Sequence, residues 1–303
     1  MKNECIIVPY HYVHNTKIGF PKVYTKNIRD FKKDIRYLSK KYKIISLRDY
    51  VLYLNDKKDI PEKTCILTFD DGLADHYDNV YPILRRKNIP ATFFVSTLPL
   101  QDKQVLPVQM LQCLLAEVEE DILVQEYTKM LQKLYPKYYS KYSVKPKKDL
   151  RLYIWYSPKV IGLKSVIRQM SIPMQRNILK PLFEEFIGDE ETFWSKLYMN
   201  YFNIKDLLRD GFEIGCHGYS HSTLINSNLK EELVESKSFL EKIYNTQITS
   251  FSIPYGTKNE DVIYSIKNAG YHCCLNSEFK VNSGKTDPFN LTRIDPMLIG
   301  DKI

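Results

Sequence analysis

Short apolar runs rich in β-branched and aromatic residues alternate with helix-forming segments along most of this chain. Eight such runs lie at residues 4–9, 43–47, 64–69, 90–95, 211–216, 248–253, 270–275 and 289–294. Apolar residues recur at helical spacing between several of them, at residues 26–41, 76–87, 229–245 and 258–268. Strands separated by helices favour parallel pairing, because a parallel connection needs a long crossover. The pattern therefore predicts an α/β fold on a parallel sheet, either open or closed into a barrel.

The segment between residues 100 and 200 departs from this alternation. It is helical in pattern and rich in Lys and Tyr, and its Leu, Phe and Trp content indicates a packed subdomain rather than a linker. We therefore expect one domain over residues 1–303 with a helical insertion at 100–200. Eight basic residues and one acid, Asp149, lie between Lys129 and Arg151. This basic stretch predicts either a platform for an anionic or sugar substrate or, more commonly for charge runs, a solvated helical face.

Composition restricts the class of partner and the compartment. The net charge of +8 favours an anionic partner only weakly, and no nucleic-acid-binding motif accompanies it, so we expect no nucleic-acid partner. No run of roughly 18 or more apolar residues is present, so no transmembrane segment is expected. The six cysteines lack zinc-ribbon and CxxC spacing, and residues 1–13 predict a strand rather than a secretory signal. We therefore expect a cytoplasmic protein with reduced thiols.

Residues that could form a functional site, most of them polar, lie at or just beyond the ends of the predicted strands. They are His11, Asp70, Asp71, His217, His221, Pro254, Tyr255, Gly256 and Arg293. In a parallel α/β barrel the carboxyl ends of the strands share one face, so residues far apart in sequence converge there. The sequence "LTFDDG" at residues 67–72 is the clearest example, since it places two adjacent carboxylates at the end of an apolar run.

The spacing of two histidines predicts a metal site. His217 and His221 form an HxxxH pair, which can turn both imidazoles to one ion if the segment is helical or tightly turned. One carboxylate completes a set that zinc, iron and other divalent metals accept. The second carboxylate can then take a proton from water whose pKa a catalytic zinc lowers to about 7. Alone, a DDG is often a turn and an HxxxH is often a chance surface pair, but their shared position at strand ends favours the site.

Three motifs together resemble those of a known family. "TFDDG" followed by "PATFFV", "GFEIGCHGYSH" and "PYG" resemble the polysaccharide deacetylases, carbohydrate esterases that share the NodB homology domain. The resemblance covers roughly residues 1–97 and 203–300. It implies a distorted, incomplete (β/α) barrel, here with a helical insertion. It also implies removal of acetyl groups from N-acetylated, sometimes O-acetylated, sugars with a divalent metal, usually zinc.

The resemblance also implies roles for individual residues. Asp70 resembles the catalytic base of the family, and Arg293 in "LTRIDP" is expected to hold it by a charge-assisted hydrogen bond. Three residues resemble the metal ligands, namely Asp71, His217 and His221. The segment of Pro254, Tyr255 and Gly256 matches one that lines the substrate groove, with the backbone N–H of Tyr255 as the expected oxyanion donor.

The chain departs from the family pattern at three places. Ser252 stands where many members carry an arginine, and "CCLNSEFK" and "RIDPMLIG" lack the usual late Asp and the general-acid His. In the branch with an early "YH" motif, an N-terminal histidine resembles the replacement acid. His11 in "PYHYV" is therefore the expected general acid, with a structural histidine as the alternative.

These observations predict a metal-dependent hydrolase that removes an N-acetyl group from an amino sugar in surface-glycan or polysaccharide metabolism. Since no export signal is seen, we expect a nucleotide-linked or lipid-linked N-acetylated precursor as substrate. A formyl group, a non-sugar amide, a non-catalytic carbohydrate-binding protein and a scaffold acting through residues 100–200 are the alternatives.

Overall fold

The computed structural model describes residues 4–15, 21–56, 60–148 and 156–299. The chain divides into two compact units. The sheet unit comprises residues 1–16, 24–102 and 196–303, and the helical unit comprises residues 17–23 and 103–195.

The described residues form an eight-stranded sheet in the order β7-β6-β5-β4-β3-β1-β8, with β2 paired to β3. The strands are β1 (Glu4–Tyr10), β2 (Lys43–Ile44), β3 (Thr64–Phe69), β4 (Thr92–Val95), β5 (Glu213–Cys216), β6 (Ser250–Ser252), β7 (Cys273–Leu275) and β8 (Asn282–Ser283). All pairs are parallel except β1 with β8. Within the described ranges the edge strands β7 and β8 do not pair with each other, so the barrel is incomplete. The predicted α/β fold with a distorted, incomplete barrel is confirmed.

Helices connect most of the strands. They are α1 (Ile28–Lys41), α2 (Leu47–Asn55), α3 (Tyr81–Arg86), α4 (Leu98–Asp102), α5 (Pro107–Glu117), α6 (Glu120–Leu134), α7 (Tyr139–Tyr142), α8 (Pro158–Ile167), α9 (Ile172–Phe186), α10 (Glu190–Leu197), α11 (Tyr201–Arg209), α12 (Ser236–Tyr244) and α13 (Glu260–Asn268). The predicted helices at 76–87 and 229–245 begin with π-helical turns, His76–Val80 before α3 and Lys230–Glu235 before α12. No helix in the described ranges has both the length and the hydropathy needed to cross a membrane.

The central strand β3 is buried on both of its faces. All six of its residues are buried, as expected for a strand covered on both faces. Successive side chains point to opposite faces. Leu67 and Phe69 therefore pack with Phe31 of α1 in the larger core cluster, whereas Ile66 packs with Tyr50 of α2 in the smaller one. The sheet is thus held between two apolar layers.

The predicted strand at 289–294 is wrong. Asp287 caps the amide of Phe289, and Pro288 begins a 3₁₀ turn, so the chain bends where an extended run was expected. In this segment only Leu291 makes an isolated bridge, to Leu275. His272, which we expected inside a strand, lies one residue before β7.

In the helical unit, α5 and α6 pack against α9. Arg176 donates two hydrogen bonds to the buried Glu190 carboxylate, at 2.9 and 3.0 Å, and a third to the Val105 carbonyl at 2.8 Å. The described lysines of the basic stretch are all exposed, as a solvated face predicts. Asp149 and Arg151 lie outside the described residues. All six cysteines are buried and unpaired.

Candidate active site and metal centre

The predicted site residues follow the carboxyl ends of neighbouring parallel strands. His11 follows β1, the pair Asp70 and Asp71 follows β3, His217 follows β5, and Pro254 follows β6. Strands β1 and β3 pair in register up to Tyr10 and Phe69, so the residues that follow emerge side by side. The predicted convergence at one edge of the sheet is therefore observed.

Three buried side chains form a cluster that can hold a metal ion. Asp71 Oδ1 lies 3.5 Å from His217 Nε2 and 3.5 Å from His221 Nε2. The candidate ligand atoms of these three residues all lie within 4.8 Å of one another. Asp71 Oδ1 is a buried carboxylate oxygen without a hydrogen-bond donor in the described part of the chain. Because an uncompensated buried charge is costly, two imidazoles and an orphaned carboxylate fit a divalent cation.

The HxxxH segment is a tight turn rather than a helix. His217 follows β5 directly, Gly218 has φ +82°, and His221 has φ 57°. The two imidazole rings stand nearly perpendicular, with centroids 4.7 Å apart. We expected both imidazoles to face one ion if the segment was helical or tightly turned, and the structure shows a tight turn.

The two histidines differ in how they are held. His217 Nδ1 donates to the Ser252 carbonyl at 2.7 Å, which leaves Nε2 facing Asp71. Burial lowers the pKa of His217, but Asp70 and Asp71 raise it, and the net shift is upward. Burial lowers the pKa of His221 to about 3, so at neutral pH its contact with Asp71 joins a carboxylate to a neutral imidazole. A neutral imidazole is the form that binds a metal.

Asp70 is held as an ionised carboxylate beside this cluster. Arg293 Nη1 donates to Asp70 Oδ2 at 2.6 Å, and Ser252 Oγ donates to the same oxygen at 3.3 Å. Burial raises the pKa of Asp70, but Arg293, His217 and His11 lower it, and the net shift is downward. Asp70 Oδ1 is buried and has no hydrogen-bond partner in the described residues. One oxygen is therefore fixed, and the other can accept a proton.

His11 stands at the rim of the site. Its Nε2 lies 4.0 Å from Asp70 Oδ2, and 48% of its side chain is exposed. The His76 ring donates from Nε2 to the His11 carbonyl at 2.9 Å. Asp75 accepts a hydrogen bond from the Val13 amide at 3.2 Å. The π-helical turn and the residue before it therefore anchor the loop that follows β1. His11 is thus partly accessible on a backbone that is fixed.

The "PYG" segment borders the candidate metal ligands. Tyr255 has φ 59°, and its ring lies perpendicular to that of His221 with centroids 4.7 Å apart. Pro254 is buried, and Gly256 has φ +67°. A Cβ at Gly256 would lie 2.0 Å from Ser277 Oγ and 2.6 Å from the Ser277 backbone N, so Ser277 would have to shift to admit a side chain there. The structure brings Tyr255 to the ligand cluster, with Pro254 and Gly256 flanking it.

Three supporting residues were missed from the sequence. Ser252 contributes both its hydroxyl, which donates to Asp70, and its carbonyl, which accepts from His217. The Asn276 carbonyl accepts from Arg293 Nε at 3.1 Å, which orients the guanidinium. Glu232 binds the turn between the two histidines. No signal in a single sequence marks these residues, because each acts through contacts distant along the chain.

Comparison with known proteins points to one family. The profile of the family described as "Polysaccharide deacetylase" matches residues 57–133 and 195–274. The poly-β-1,6-N-acetyl-D-glucosamine N-deacetylase of Staphylococcus epidermidis is 32% identical over 77 residues, which cover 25% of this chain and 26% of that protein. The putative polysaccharide deacetylase YxkH of Bacillus subtilis is 29% identical over 91 residues, covering 29% and 30%. The matched segments thus span less than a third of these curated relatives.

Solved structures extend the similarity to nearly the whole fold. The Streptococcus pyogenes deacetylase PplD in complex with acetate has a TM-score of 0.60 and 15% identity, covering 97% of this chain and 93% of that one. IcaB from Ammonifex degensii has a TM-score of 0.59 and 15% identity, covering 96% and 91%. These similarities show a shared, NodB-type fold. Because the family profile also matches just over half of the sequence, this chain belongs to the polysaccharide deacetylase family.

Proposed function

We propose that this protein is a metal-dependent N-deacetylase of an N-acetylated glycan. The observation that carries the proposal is the buried Asp71–His217–His221 cluster beside Asp70, a carboxylate kept ionised by Arg293. The staphylococcal relatives are named for removing N-acetyl groups from poly-β-1,6-N-acetyl-D-glucosamine, which supports an amide substrate on an amino sugar.

Three residues would hold the divalent metal, namely Asp71, His217 and His221. We propose zinc, since two imidazoles and one carboxylate with an open position are a ligand set that catalytic zinc uses. When bound, the metal supplies Lewis-acid polarisation of the acyl carbonyl and activation of water.

The remaining residues move protons and bind charge. Asp70 accepts a proton from the attacking water at Oδ1, because Arg293 and Ser252 occupy Oδ2. The backbone N–H of Tyr255 donates to the carbonyl oxygen as negative charge develops there, a contribution of about 3–4 kcal/mol. His11 donates a proton to the leaving amine. Water adds to the acyl carbon, the C–N bond breaks, and the products are a free amino sugar and acetate.

The form of the substrate is a separate proposal. The named relatives favour a polymer of N-acetylglucosamine, with Pro254 and Gly256 bordering its groove. A nucleotide-linked or lipid-linked precursor handled in the cytoplasm is the other form.

Acyl release from a defined panel tests the proposal. The panel contains β-1,6-linked N-acetylglucosamine oligomers, a nucleotide-linked N-acetyl sugar and an N-formyl sugar, each with added Zn²⁺ or Co²⁺. Acetate release from any sugar supports a deacetylase, and the panel member used identifies the form of the substrate. Asp70→Asn should keep the metal and lose turnover, whereas Asp71→Ala should lose the metal. Near-normal turnover by Asp70→Asn would show that the assigned base is wrong.

A further inference from the structure

A buried carboxylate outside the ligand cluster supports the turn between the two histidines. Glu232 lies on the π-helical turn Lys230–Glu235 that precedes α12 and is 1% exposed. In the described part of the chain it forms no ion pair with Lys, Arg or His, so backbone and hydroxyl donors must satisfy its charge. A π-helical turn is often found next to a functional site.

All of these donors come from the residues between His217 and His221. The Tyr219 amide donates to Glu232 Oε2 at 2.8 Å, and the Ser220 amide donates to both carboxylate oxygens, at 3.2 and 3.3 Å. The Ser220 hydroxyl donates to Glu232 Oε1. Hydrogen bonds to a carboxylate are about twice as strong as those between neutral groups. The turn is therefore wrapped around one negative charge.

Gly218 shows how closely the carboxylate approaches the backbone. A Cβ built there would lie 2.4 Å from Glu232 Oε2, and the residue has φ +82°. Glycine is the residue that tolerates both conditions.

The π-helical turn is itself tied to the end of β5. Ser236 Oγ donates to the Glu232 carbonyl at 2.6 Å, and the same hydroxyl lies 3.3 Å from Cys216 Sγ. Cys216 is the last residue of β5 and directly precedes His217. Glu232 thus connects the π-helical turn, which Ser236 holds in place, to the turn between His217 and His221.

His221 depends on this support more than His217 does. The Ser252 carbonyl holds His217 through Nδ1, whereas His221 Nδ1 is buried without a hydrogen-bond partner in the described residues. Apart from ring contacts with His217 and Tyr255 and the 3.5 Å approach of its Nε2 to Asp71, the His221 imidazole is placed by the backbone of the turn. We infer that Glu232 is a positioning residue that keeps His221 in metal-binding geometry, an inference that rests on the proposed metal site.

Metal affinity of the full chain tests this inference. After removal of metal with a chelator, Zn²⁺ affinity is measured by competition with a chromogenic chelator, and the coordination geometry is followed by the absorption spectrum of bound Co²⁺. Glu232→Ala should weaken Zn²⁺ binding about 10-fold, the lower end of the range for losing a residue that hydrogen-bonds a metal ligand directly, since Glu232 acts through the backbone of the turn. Glu232→Gln should recover part of this loss, because its amide oxygen still accepts backbone N–H groups. The control is Glu235→Ala on the same turn, whose side chain is 53% exposed.

A milder pair of variants covers the case in which Glu232→Ala does not fold. Ser220→Ala removes one hydrogen bond to Glu232 and should weaken Zn²⁺ binding about two- to tenfold. Its matched control is Ser222→Ala, since Ser222 is also a buried serine near His221 but has no hydrogen-bond partner for its hydroxyl in the described residues.

The outcomes separate this inference from the proposed function. The inference is overturned if folded Glu232→Ala has the Zn²⁺ affinity and the Co²⁺ spectrum of the wild type. If Glu232→Ala does not fold, the same result for Ser220→Ala overturns it. If Asp71→Ala still loses the metal in that case, the proposed metal site stands. If wild-type protein binds neither ion, the proposed function and this inference fail together.

Discussion

Removing Arg293 should expose how strongly the fold depends on the charge of Asp70. The two side chains are 6% and 1% exposed and meet at 2.6 Å, so Arg293→Met leaves a buried carboxylate without its cation. Breaking a buried pair in this way costs about 3–5 kcal/mol of unfolding free energy. The Asn276 carbonyl also loses its hydrogen bond from Arg293 Nε, which puts the expected loss in the upper half of that range.

The loss of stability in Arg293→Met should depend on pH, and the pKa of Asp70 gives the direction of this dependence. In the wild type the folded pKa of Asp70 is lowered, so its contribution to stability is present at neutral pH and is lost as pH falls through that value. Without Arg293, the pKa of Asp70 rises above its wild-type value, because one of the charges that lower it is gone. The folded variant then takes up a proton more readily than the folded wild type, so acidification reduces the difference in stability between variant and wild type.

Urea unfolding of both proteins in chelator, from pH 5 to 8, measures these quantities. A double-mutant cycle combines Arg293→Met with Asp70→Asn. Because Asp70→Asn removes the buried carboxylate charge, the double variant should recover about 2 kcal/mol or more of the unfolding free energy that Arg293→Met loses. Arg209→Met is the control, because the Arg209 side chain is 67% exposed where it pairs with Asp206, and its loss should leave the unfolding free energy nearly unchanged. If the two substitutions are additive and the loss does not vary with pH, the ion pair does not hold Asp70 as argued.

Three further perturbations test other parts of the structure. His11→Gln should lower kcat about 10²- to 10⁴-fold at unchanged Zn²⁺ affinity, as loss of a general acid predicts; a change in KM alone would contradict that role. Burial lowers the pKa of His76 to about 4, so the wild type should lose stability as pH falls from about 6.5 to 4, with a slope of up to about 1.4 kcal/mol per pH unit. His76→Leu should flatten this slope in urea unfolding, and an unchanged slope would assign it to other groups. Gly256→Ala should destabilise the fold by about 1–3 kcal/mol, because its Cβ meets Ser277 Oγ at positive φ, and Ser277→Gly should recover part of this in thermal unfolding.

The sequence predicts the positions of the candidate site residues in the fold well where the signal is local. Asp70 and Asp71 follow an apolar run, and His217 and His221 follow another, so position at a strand end and chemical type can both be inferred from a few residues. Parallel pairing then brings them together, since the strand ends share one edge.

The rest depends on contacts between distant residues. Ser252 meets Asp70 across 182 positions, and Glu232 meets Ser220 across a turn whose geometry no periodicity reveals. The strand predicted at 289–294 failed because an Asp-Pro turn signal at 287–288 outweighed the apolar residues that follow. Local propensity is a weak guide where capping and tertiary pairing compete with it.

The left-handed backbone of the site has a consequence for engineering this protein. Asp71, His221 and Tyr255 all have φ between 57° and 76°, a conformation that costs an ordinary residue about 1–2 kcal/mol. Together they remove about 3–6 kcal/mol from a fold whose total stability is typically about 5–15 kcal/mol. A library selected for heat resistance alone should therefore accumulate Gly or Asn at these positions. The most thermostable members of such a library should be those that have lost the Asp71 and His221 side chains of the candidate metal site.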